Sequence, residues 1–214
     1  MSRKFKICID PGHPSYFRGK KEINWGARIG KFKEVEINLE LARILKELLK
    51  RESFSCVLTR QDNIKVVSNK QRAIIAKDFG AQLFLRIHID WERHNDPNIR
   101  GIKTIYPPPS AEKIHKISWE IALVIHKEII KKTGLIDRGV CDERITFYKD
   151  KNGMLEGTFW ANKFNIPTVL LELGYLSNPE DREWISLEEN KRKLMEAVAE
   201  GIKKVGYTYF EKSL

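Results

Sequence analysis

The chain has 214 residues, of which 42% are hydrophobic and 32% are charged, a composition typical of one ordinary globular domain. Lysine and arginine number 39 against 29 aspartates and glutamates, so the formal net charge is +10. The composition excludes a disordered chain, a collagen-like repeat and a membrane-spanning protein. The charge favours anionic surroundings such as nucleic acid, acidic lipid or an anionic cell-wall polymer.

Hydrophobic periods of two and of 3.6 residues alternate along the chain, as they do in α/β domains. Strands are predicted at Phe5–Asp10, Ser55–Arg60, Leu83–Ile89, Ile102–Tyr106 and Thr168–Leu173, and helices at about Glu34–Arg51, Asn69–Phe79, Ala111–Thr133 and Glu188–Val205. The third and fourth strands lie too close in sequence for a helical crossover, so we expect a mixed sheet. The pattern predicts one layered α/β domain.

No internal repeat, low-complexity linker or composition break interrupts this pattern, so we predict a single domain over residues 1–214, with a core of about residues 4–206. Two stretches, Pro11–Lys33 and Thr133–Trp160, are long for plain loops, and we expect them to be functional or to contain small elements. The N-terminal apolar run is too short and too charged for a signal sequence. No later run approaches the ~18 apolar residues of a membrane span.

The three cysteines are odd in number, far apart in sequence and without a CxxC pair. These features argue against a thiolate zinc site and against a disulfide framework. Cys8 and Cys56 lie in apolar runs, and we interpret both as small core residues.

His13 follows Asp10-Pro11-Gly12 at the carboxyl end of the first predicted strand, where open α/β sheets bind their ligands. A histidine that caps a turn would explain this position as well. Glu34 begins the first long helix, where the helix dipole favours a carboxylate. It also shares the buried face with Ile37, so it needs a cation, a hydrogen-bonding group or a metal as partner. Asn38, at i+4, could orient it.

The strand period of two places Phe84, Arg86, His88 and Asp90 on one face, which becomes polar toward its carboxyl end. A satisfied core histidine is an alternative interpretation of His88. Glu172 stands in an apolar run that predicts a buried strand. An unpaired ionised carboxylate there would cost several kcal/mol or take up a proton, so a chemical role is indicated.

The remaining histidines give weaker signals. His115 and His126 lie 11 residues apart on one predicted helix, roughly 16 Å at 1.5 Å per residue, which is too far for one metal ion. We interpret both as helix-face or surface residues. His94, in a polar segment, is a possible accessory residue.

Two histidines and a carboxylate are the ligand set of catalytic zinc sites that keep a position open for water. Such sites use a second carboxylate as general base. His13, Glu34 and His88 fit the ligand set, and Glu172 fits the base. The HExxH motif of common zinc peptidases is absent, so these ligands would come from separate elements.

The same segments resemble the zinc-dependent N-acetylmuramoyl-L-alanine amidases of the amidase-3 family. The resemblance begins at Asp10-Pro11-Gly12-His13, continues through Gly26–Gly30, Glu34–Leu39, Leu58–Asp62, Arg72, Leu83–His88, Gly101 and Pro167–Asn178, and extends to about Val205. It implies that His13, Glu34 and His88 hold one catalytic Zn²⁺ and that Glu172 is the catalytic base. It also implies a single three-layer α/β domain, with a central mixed β-sheet flanked by helices on both faces.

The chain departs from the family pattern at two places. Pro14 and Ser15 stand where glycines are usual, and Arg86 and Asp90 stand where a small residue and an asparagine are common. The four residues with implied metal-binding or catalytic roles, His13, Glu34, His88 and Glu172, match the family pattern. The pocket shape, the substrate-binding residues, the muropeptide preference and the roles of Arg86, Asp90 and His94 stay open.

The resemblance implies a peptidoglycan hydrolase that cleaves the amide between N-acetylmuramic acid and the L-alanine of the stem peptide by means of zinc-activated water. Its partners would be peptidoglycan and muropeptides, and the positive charge could hold it to anionic cell-wall polymers without a separate cell-wall-binding domain. Since no signal peptide is found, we expect either a protein that stays cytoplasmic until release, such as a phage-type endolysin, or a secreted autolysin trimmed of its leader.

Two other functions remain possible from the sequence. One is a zinc peptidase or other amidohydrolase that acts on soluble peptides. The other is a basic nucleic-acid-binding domain, but lysine and arginine are spread over all predicted helices and no nucleic-acid motif is present. We therefore expect no nucleic-acid partner.

Overall fold

The computed structural model describes residues 4–16, 22–92, 96, 98–143, 148–149, 155–156 and 160–209. The helices are α1 (Glu34–Arg51), α2 (Asn69–Phe79), α3 (Glu112–Thr133), α4 (Pro179–Ser186) and α5 (Glu188–Tyr209), with 3₁₀ turns at Pro109–Ala111 and Trp160–Phe164. The strands are β1 (Lys6–Pro11), β2 (Ser15–Tyr16), β3 (Ile23–Asn24), β4 (Arg28–Ile29), β5 (Phe32–Lys33), β6 (Ser55–Leu58), β7 (Leu83–Asp90), β8 (Ile102–Tyr106), β9 (Asp137–Asp142), β10 (Tyr148–Lys149), β11 (Leu155–Glu156) and β12 (Thr168–Tyr175).

Six strands form the central sheet in the order β6-β1-β7-β12-β8-β9. All neighbours are parallel except β12 and β8, which are antiparallel. The mixed sheet is therefore confirmed. The two strands whose closeness in sequence predicted it are not neighbours, because β12 lies between β7 and β8.

Helices cover both faces of the sheet, as predicted. On one face α1, α3 and α5 pack against each other and the strands around a large apolar cluster that includes Ile7, Ile9, Leu45 and Leu171. On the other face α2 and the 3₁₀ turn near residue 161 enclose a smaller cluster that includes Cys8 and Phe84, among others. Successive strand residues alternate between these clusters, so the sheet forms the middle of three layers.

The two long predicted loops contain small elements, as expected. The stretch from residue 11 to 33 includes two short antiparallel ribbons, β2–β3 and β4–β5. The stretch from residue 133 to 160 includes β9, which adds an edge strand to the sheet, and the short β10–β11 pair.

The helix α4 is not among the helices predicted from the sequence. The side chain of Asn178 accepts hydrogen bonds from the backbone N–H groups of Glu180 and Asp181, and Pro179 occupies the first helical position. Both residues favour the start of a helix, and α4 therefore begins with three residues between it and the end of β12.

Cys8 is fully buried, in agreement with its interpretation as a core residue, and Cys56 is half-buried against the large apolar cluster. Within the part of the chain that the structure describes, no helix combines the length and the apolar character needed to cross a membrane.

Candidate metal centre

The carboxyl ends of β1, β7 and β12 lie side by side and bring the predicted site residues to one edge of the sheet. His13 follows β1, His88 is near the end of β7, and Glu172 in β12 lies directly opposite His88 in the strand register. Glu34, the first residue of α1, approaches from the adjoining helix. All four line one cavity of about 450 Å³.

The three predicted ligands contact one another. Glu34 Oε1 lies 3.3 Å from His13 Nε2 and 3.1 Å from His88 Nδ1. One ligand atom from each residue lies within 4.8 Å of the others. Ligand atoms around a tetrahedral metal with bonds of 2.0–2.2 Å are about 3.3–3.6 Å apart, so the group could hold a metal ion with little movement.

Backbone and amide groups fix the orientation of two of these ligands. His13 Nδ1 lies 3.2 Å from the carbonyl oxygen of Asn24, to which it can donate, so its Nε2 is left unprotonated for a metal. Glu34 Oε2 accepts from the backbone N–H of Ala27 at 2.8 Å, and Oε1 accepts from Asn38 Nδ2 at 3.2 Å. The predicted orienting role of Asn38 is therefore confirmed.

Two glycines allow the ligands to approach the backbone closely. A Cβ atom at Gly12 would lie 2.2 Å from Cε1 of His88, inside van der Waals contact. At Gly26 it would lie 2.6 Å from Glu34 Oε2 and 2.7 Å from His13 Cδ2, and φ there is +79°. The spacing requires glycine at both positions, and at Gly26 the backbone conformation requires it as well.

Burial alone would shift the pKa values of His88 and of the Glu34 carboxyl group in opposite directions. It lowers the pKa of His88 to about 4, although the nearby Glu34 carboxylate opposes this shift. Burial also disfavours the ionised form of Glu34, but His13 and His88 outweigh it and lower the pKa of this carboxyl. The neutral imidazole and the ionised carboxylate that result are the forms that bind metals.

Glu172 has a different environment from Glu34. Its Oε2 atom is buried and has no hydrogen-bond partner among the described residues. Burial, followed by the negative charges of Asp90 and Glu34, raises its pKa well above the usual range. A carboxylate with a raised pKa and a free oxygen at the cavity wall is suited to accept a proton.

A buried ion cluster lies beneath the site. The Asp10 carboxylate pairs with Arg72 NH1 at 2.5 Å and with Arg86 Nε at 2.7 Å, and it accepts from the Thr59 hydroxyl. Burial alone would raise the pKa of Asp10, but the two guanidinium charges and the hydroxyl outweigh it and hold the pKa well below its usual range. Arg86, whose role the sequence left open, thus belongs to this cluster.

Two of the buried arginines also hold the backbone that carries His13. Arg60 NH2 donates to Gly12 O at 2.8 Å, and Arg60 Nε donates to Pro11 O at 3.0 Å. Arg72 NH1 donates to Pro11 O and its NH2 to Pro14 O, both at 2.8 Å. His13 has a φ of 54°, in the left-handed region that a non-glycine residue adopts only when its surroundings hold it there.

Asp90 lies at the end of β7 and lines the cavity. Its Oδ1 accepts from the backbone N–H of Trp91 at 2.7 Å, and its Oδ2 lies 3.7 Å from Lys103 Nζ. The departure from the family pattern at this position therefore places an ion pair beside Glu172. His94 lies outside the described residues.

Of the two interpretations of His126, a helix-face residue is confirmed and a surface residue is wrong, because His126 lies on the buried side of α3 and is only 5% exposed. Its Nδ1 lies 2.8 Å from the Thr104 hydroxyl and its Nε2 lies 2.8 Å from Asp137 Oδ1. It joins α3 to β8 and β9, and the two polar partners make its burial possible. His115 is half-buried beside the Pro107 carbonyl, and neither histidine belongs to the metal group.

Several residues that contact the site could not be predicted from the sequence. Asn24 and Ala27 act through main-chain groups, which every residue type possesses. The partners of Asp10 could have been anticipated, because a charged residue that ends an apolar strand needs buried cations.

Comparisons with known proteins show which family this chain resembles. A family model described as N-acetylmuramoyl-L-alanine amidase matches residues 7–204. A Staphylococcus epidermidis protein named "Probable cell wall amidase LytH" is 27% identical over 197 residues, which are 92% of this chain and 57% of that protein. The chain therefore spans little more than half the length of such curated relatives.

Solved structures show the same similarity. The N-acetylmuramoyl-L-alanine amidase from Clostridium difficile 630 is 26% identical with a TM-score of 0.77, over 97% of this chain and 100% of that chain. The catalytic domain of CwlV, an amidase from Bacillus (Paenibacillus) polymyxa var. colistinus, is 28% identical with a TM-score of 0.71, over 94% of this chain and 97% of that one.

Proposed function

The chain belongs to the N-acetylmuramoyl-L-alanine amidase family, whose model matches residues 7–204, and on that premise we propose that it hydrolyses the amide between N-acetylmuramic acid and L-alanine in peptidoglycan. The observation that carries this proposal is the convergence of His13, Glu34, His88 and Glu172 on one cavity of about 450 Å³. Each comes from a different element, so their meeting follows from the fold as a whole.

His13, Glu34 and His88 are the proposed ligands of one Zn²⁺ ion. Two imidazole nitrogens and a carboxylate oxygen are a donor set that zinc accepts, and three protein ligands leave a position open. A zinc ion held there supplies a Lewis acid, which polarises an amide carbonyl and makes water more acidic. The contacts of Glu34 with Ala27 and Asn38 keep its carboxylate in place before any ion binds.

Glu172 is the proposed general base and then the general acid. Its unpartnered Oε2 atom takes a proton from the water that attacks the amide carbon. The same oxygen returns this proton to the nitrogen that leaves with L-alanine, so the carboxylate is regenerated. The raised pKa of Glu172 supports both transfers, because a general base works best when its pKa is near the working pH.

Peptidoglycan is the proposed substrate and the cell wall the proposed place of action. The +10 net charge supports attraction to anionic wall polymers. Asp90, which stands where an asparagine is common and pairs with Lys103, forms part of the surface that would meet the muropeptide.

A digest of purified sacculi tests the proposal. We expect new amino termini to be those of L-alanine, with no new reducing sugar ends, and we expect chelation of zinc to abolish their release. Release of other amino termini, or cleavage of free soluble peptides with sacculi left intact, would contradict the proposal and favour a peptidase.

A further inference from the structure

Arg28 is a cation on the wall of the metal cavity. It is an exposed residue of β4 and lines the same cavity as His13, Glu34 and Glu172. The other charged side chains of this lining are the acids Glu34, Asp90 and Glu172, so Arg28 is the one guanidinium among the described lining residues.

The β4–β5 ribbon holds Arg28 in a defined position. Arg28 pairs with Lys33 and Ile29 pairs with Phe32, and Gly30 in the turn has the positive φ of 53° that tight hairpins require. Ile29 and Phe32 pack against the apolar core. Because neighbouring strand residues point to opposite faces, Arg28 lies on the face turned away from that core.

The ribbon is also tied to a proposed metal ligand. The backbone N–H of Ala27 donates to Glu34 Oε2 at 2.8 Å, and the backbone N–H of Glu34 donates to the Ala27 carbonyl at 2.9 Å. Arg28 is the next residue after Ala27. Its Cα position is therefore fixed relative to the metal group, and only its side chain is free to move.

The neighbouring cations already have partners, whereas the described residues include no carboxylate paired with Arg28. Lys33 pairs with Glu36 at 2.7 Å, and Lys103 lies 3.7 Å from Asp90. Among the described residues, no carboxylate lies within ion-pair distance of Arg28. The described part of the cavity thus presents one guanidinium without a carboxylate partner, and a guanidinium forms paired hydrogen bonds with planar anions such as carboxylates.

We propose that Arg28 binds a carboxylate on the peptide side of the substrate and so determines specificity for acidic stem peptides. This inference rests on the proposed amidase function. The carboxyl group of muramic acid is consumed in the amide that is cleaved, so the glycan side offers no carboxylate. The carboxyl of L-alanine is itself in a peptide bond, and the first free carboxylate belongs to the following residue.

Two substrates that differ in one group test this inference. Both carry the γ-carboxyl of the second residue as a methylamide: N-acetylmuramoyl-L-alanyl-D-glutamate γ-methylamide has one free carboxylate, at the α position, and its α-carboxamide analogue has none. We expect the wild-type protein to prefer the acid. Arg28→Gln should lower kcat/KM for the acid roughly 10- to 100-fold, mostly through KM, and change kcat/KM for the amide little.

Matched variants separate binding from general charge effects. Lys31→Gln removes a positive charge from the same hairpin outside the cavity lining and should leave both substrates unchanged. Arg28→Lys should restore part of the preference, because lysine keeps the charge but lacks the planar fork. Zinc content should equal that of the wild type in all three variants.

The outcomes distinguish the two proposals. Equal losses on acid and amide in Arg28→Gln, or an unchanged preference, would overturn the role of Arg28 while the amidase function stands. Failure of the wild-type protein to release L-alanyl peptides from either compound, or from sacculi, would overturn both.

Discussion

The two faces of the central sheet are built from the same strands and stabilised in different ways. Facing α1, α3 and α5, residues such as Ile7, Ile9 and Leu85 form a continuous apolar layer. On the opposite face the same strands carry Asp10 and His88 toward their carboxyl ends, where ion pairs and hydrogen bonds replace apolar contacts. We infer that the apolar face supplies most of the stability and that the polar face positions the chemistry.

The largest expected effect is on the reaction at the polar face. Glu172→Gln keeps the size of the side chain and removes the proton acceptor, so kcat should fall roughly 10²–10⁴-fold. The substitution should not lower the free energy of unfolding, because Glu172 is a buried carboxyl without a hydrogen-bonding partner for Oε2. Steady-state assays and urea unfolding measure the two quantities.

Glu36→Gln provides the control for this substitution, since Glu36 is a carboxylate of α1 that pairs with Lys33 near the surface. Its activity should equal that of the wild type. Full activity in Glu172→Gln would show that another group accepts the proton.

The next effect concerns the ion cluster that supports the polar face. Arg72→Met leaves the buried Asp10 carboxylate with one fewer partner and frees the carbonyls of Pro11 and Pro14. Removal of one partner from a buried pair typically costs about 3–5 kcal/mol, and we expect a loss of that order. Chemical denaturation measures it.

The double variant Asp10→Asn/Arg72→Met tests whether the pair is the cause. It should lose less stability than the sum of the two single variants, because each single variant already removes the same Asp10–Arg72 ion pair. Additive losses would indicate that the two side chains act independently.

On the apolar face, Leu45→Ala should destabilise the fold without a specific effect on the site. Leu45 is fully buried in the large cluster, and such truncations cost about 2–5 kcal/mol. Zinc content and kcat of the folded fraction should stay at wild-type values, as measured below the unfolding temperature. Loss of zinc from the folded Leu45→Ala variant would contradict the inference that the apolar face contributes stability and not the geometry of the site.

A change of pH is expected to have a smaller effect on the free energy of unfolding. The pKa of Asp10 is lower in the folded chain than in the unfolded chain, so its contribution to stability is complete above the unfolded value of about 3.9. That contribution is lost as pH falls from about 4 toward the lower folded pKa. The free energy of unfolding should therefore fall more steeply below pH 4 in the wild type than in Asp10→Asn, as urea titrations at each pH will show.

The apolar face was largely predictable from sequence, and the polar face only in part. Apolar periodicity located five of the six strands of the central sheet and the helices α1, α2, α3 and α5. It missed β9, whose sequence Asp137–Asp142 shows no alternation and whose strand form depends on pairing with β8. It missed α4 because a helix of eight residues is too short for a clear period.

At the site, residue type and the family resemblance identified the four side chains that the fold brings together. The contacts that orient these side chains were harder to predict from the sequence. Asn38 could be inferred from helical spacing, whereas the Asn24 carbonyl and the Ala27 N–H are main-chain groups placed by the ribbons. The burial of His126 depends on Thr104 and Asp137, which come from two strands distant in sequence.

Metal titration tests the central claim most directly. If His13, Glu34 and His88 form one site, the purified protein binds one zinc ion per chain, and alanine substitution of any one of the three weakens binding at least roughly tenfold while circular dichroism shows a folded chain. Absence of stoichiometric zinc, or a wild-type affinity in any of the three variants, would contradict the convergence of these residues on a single metal ion.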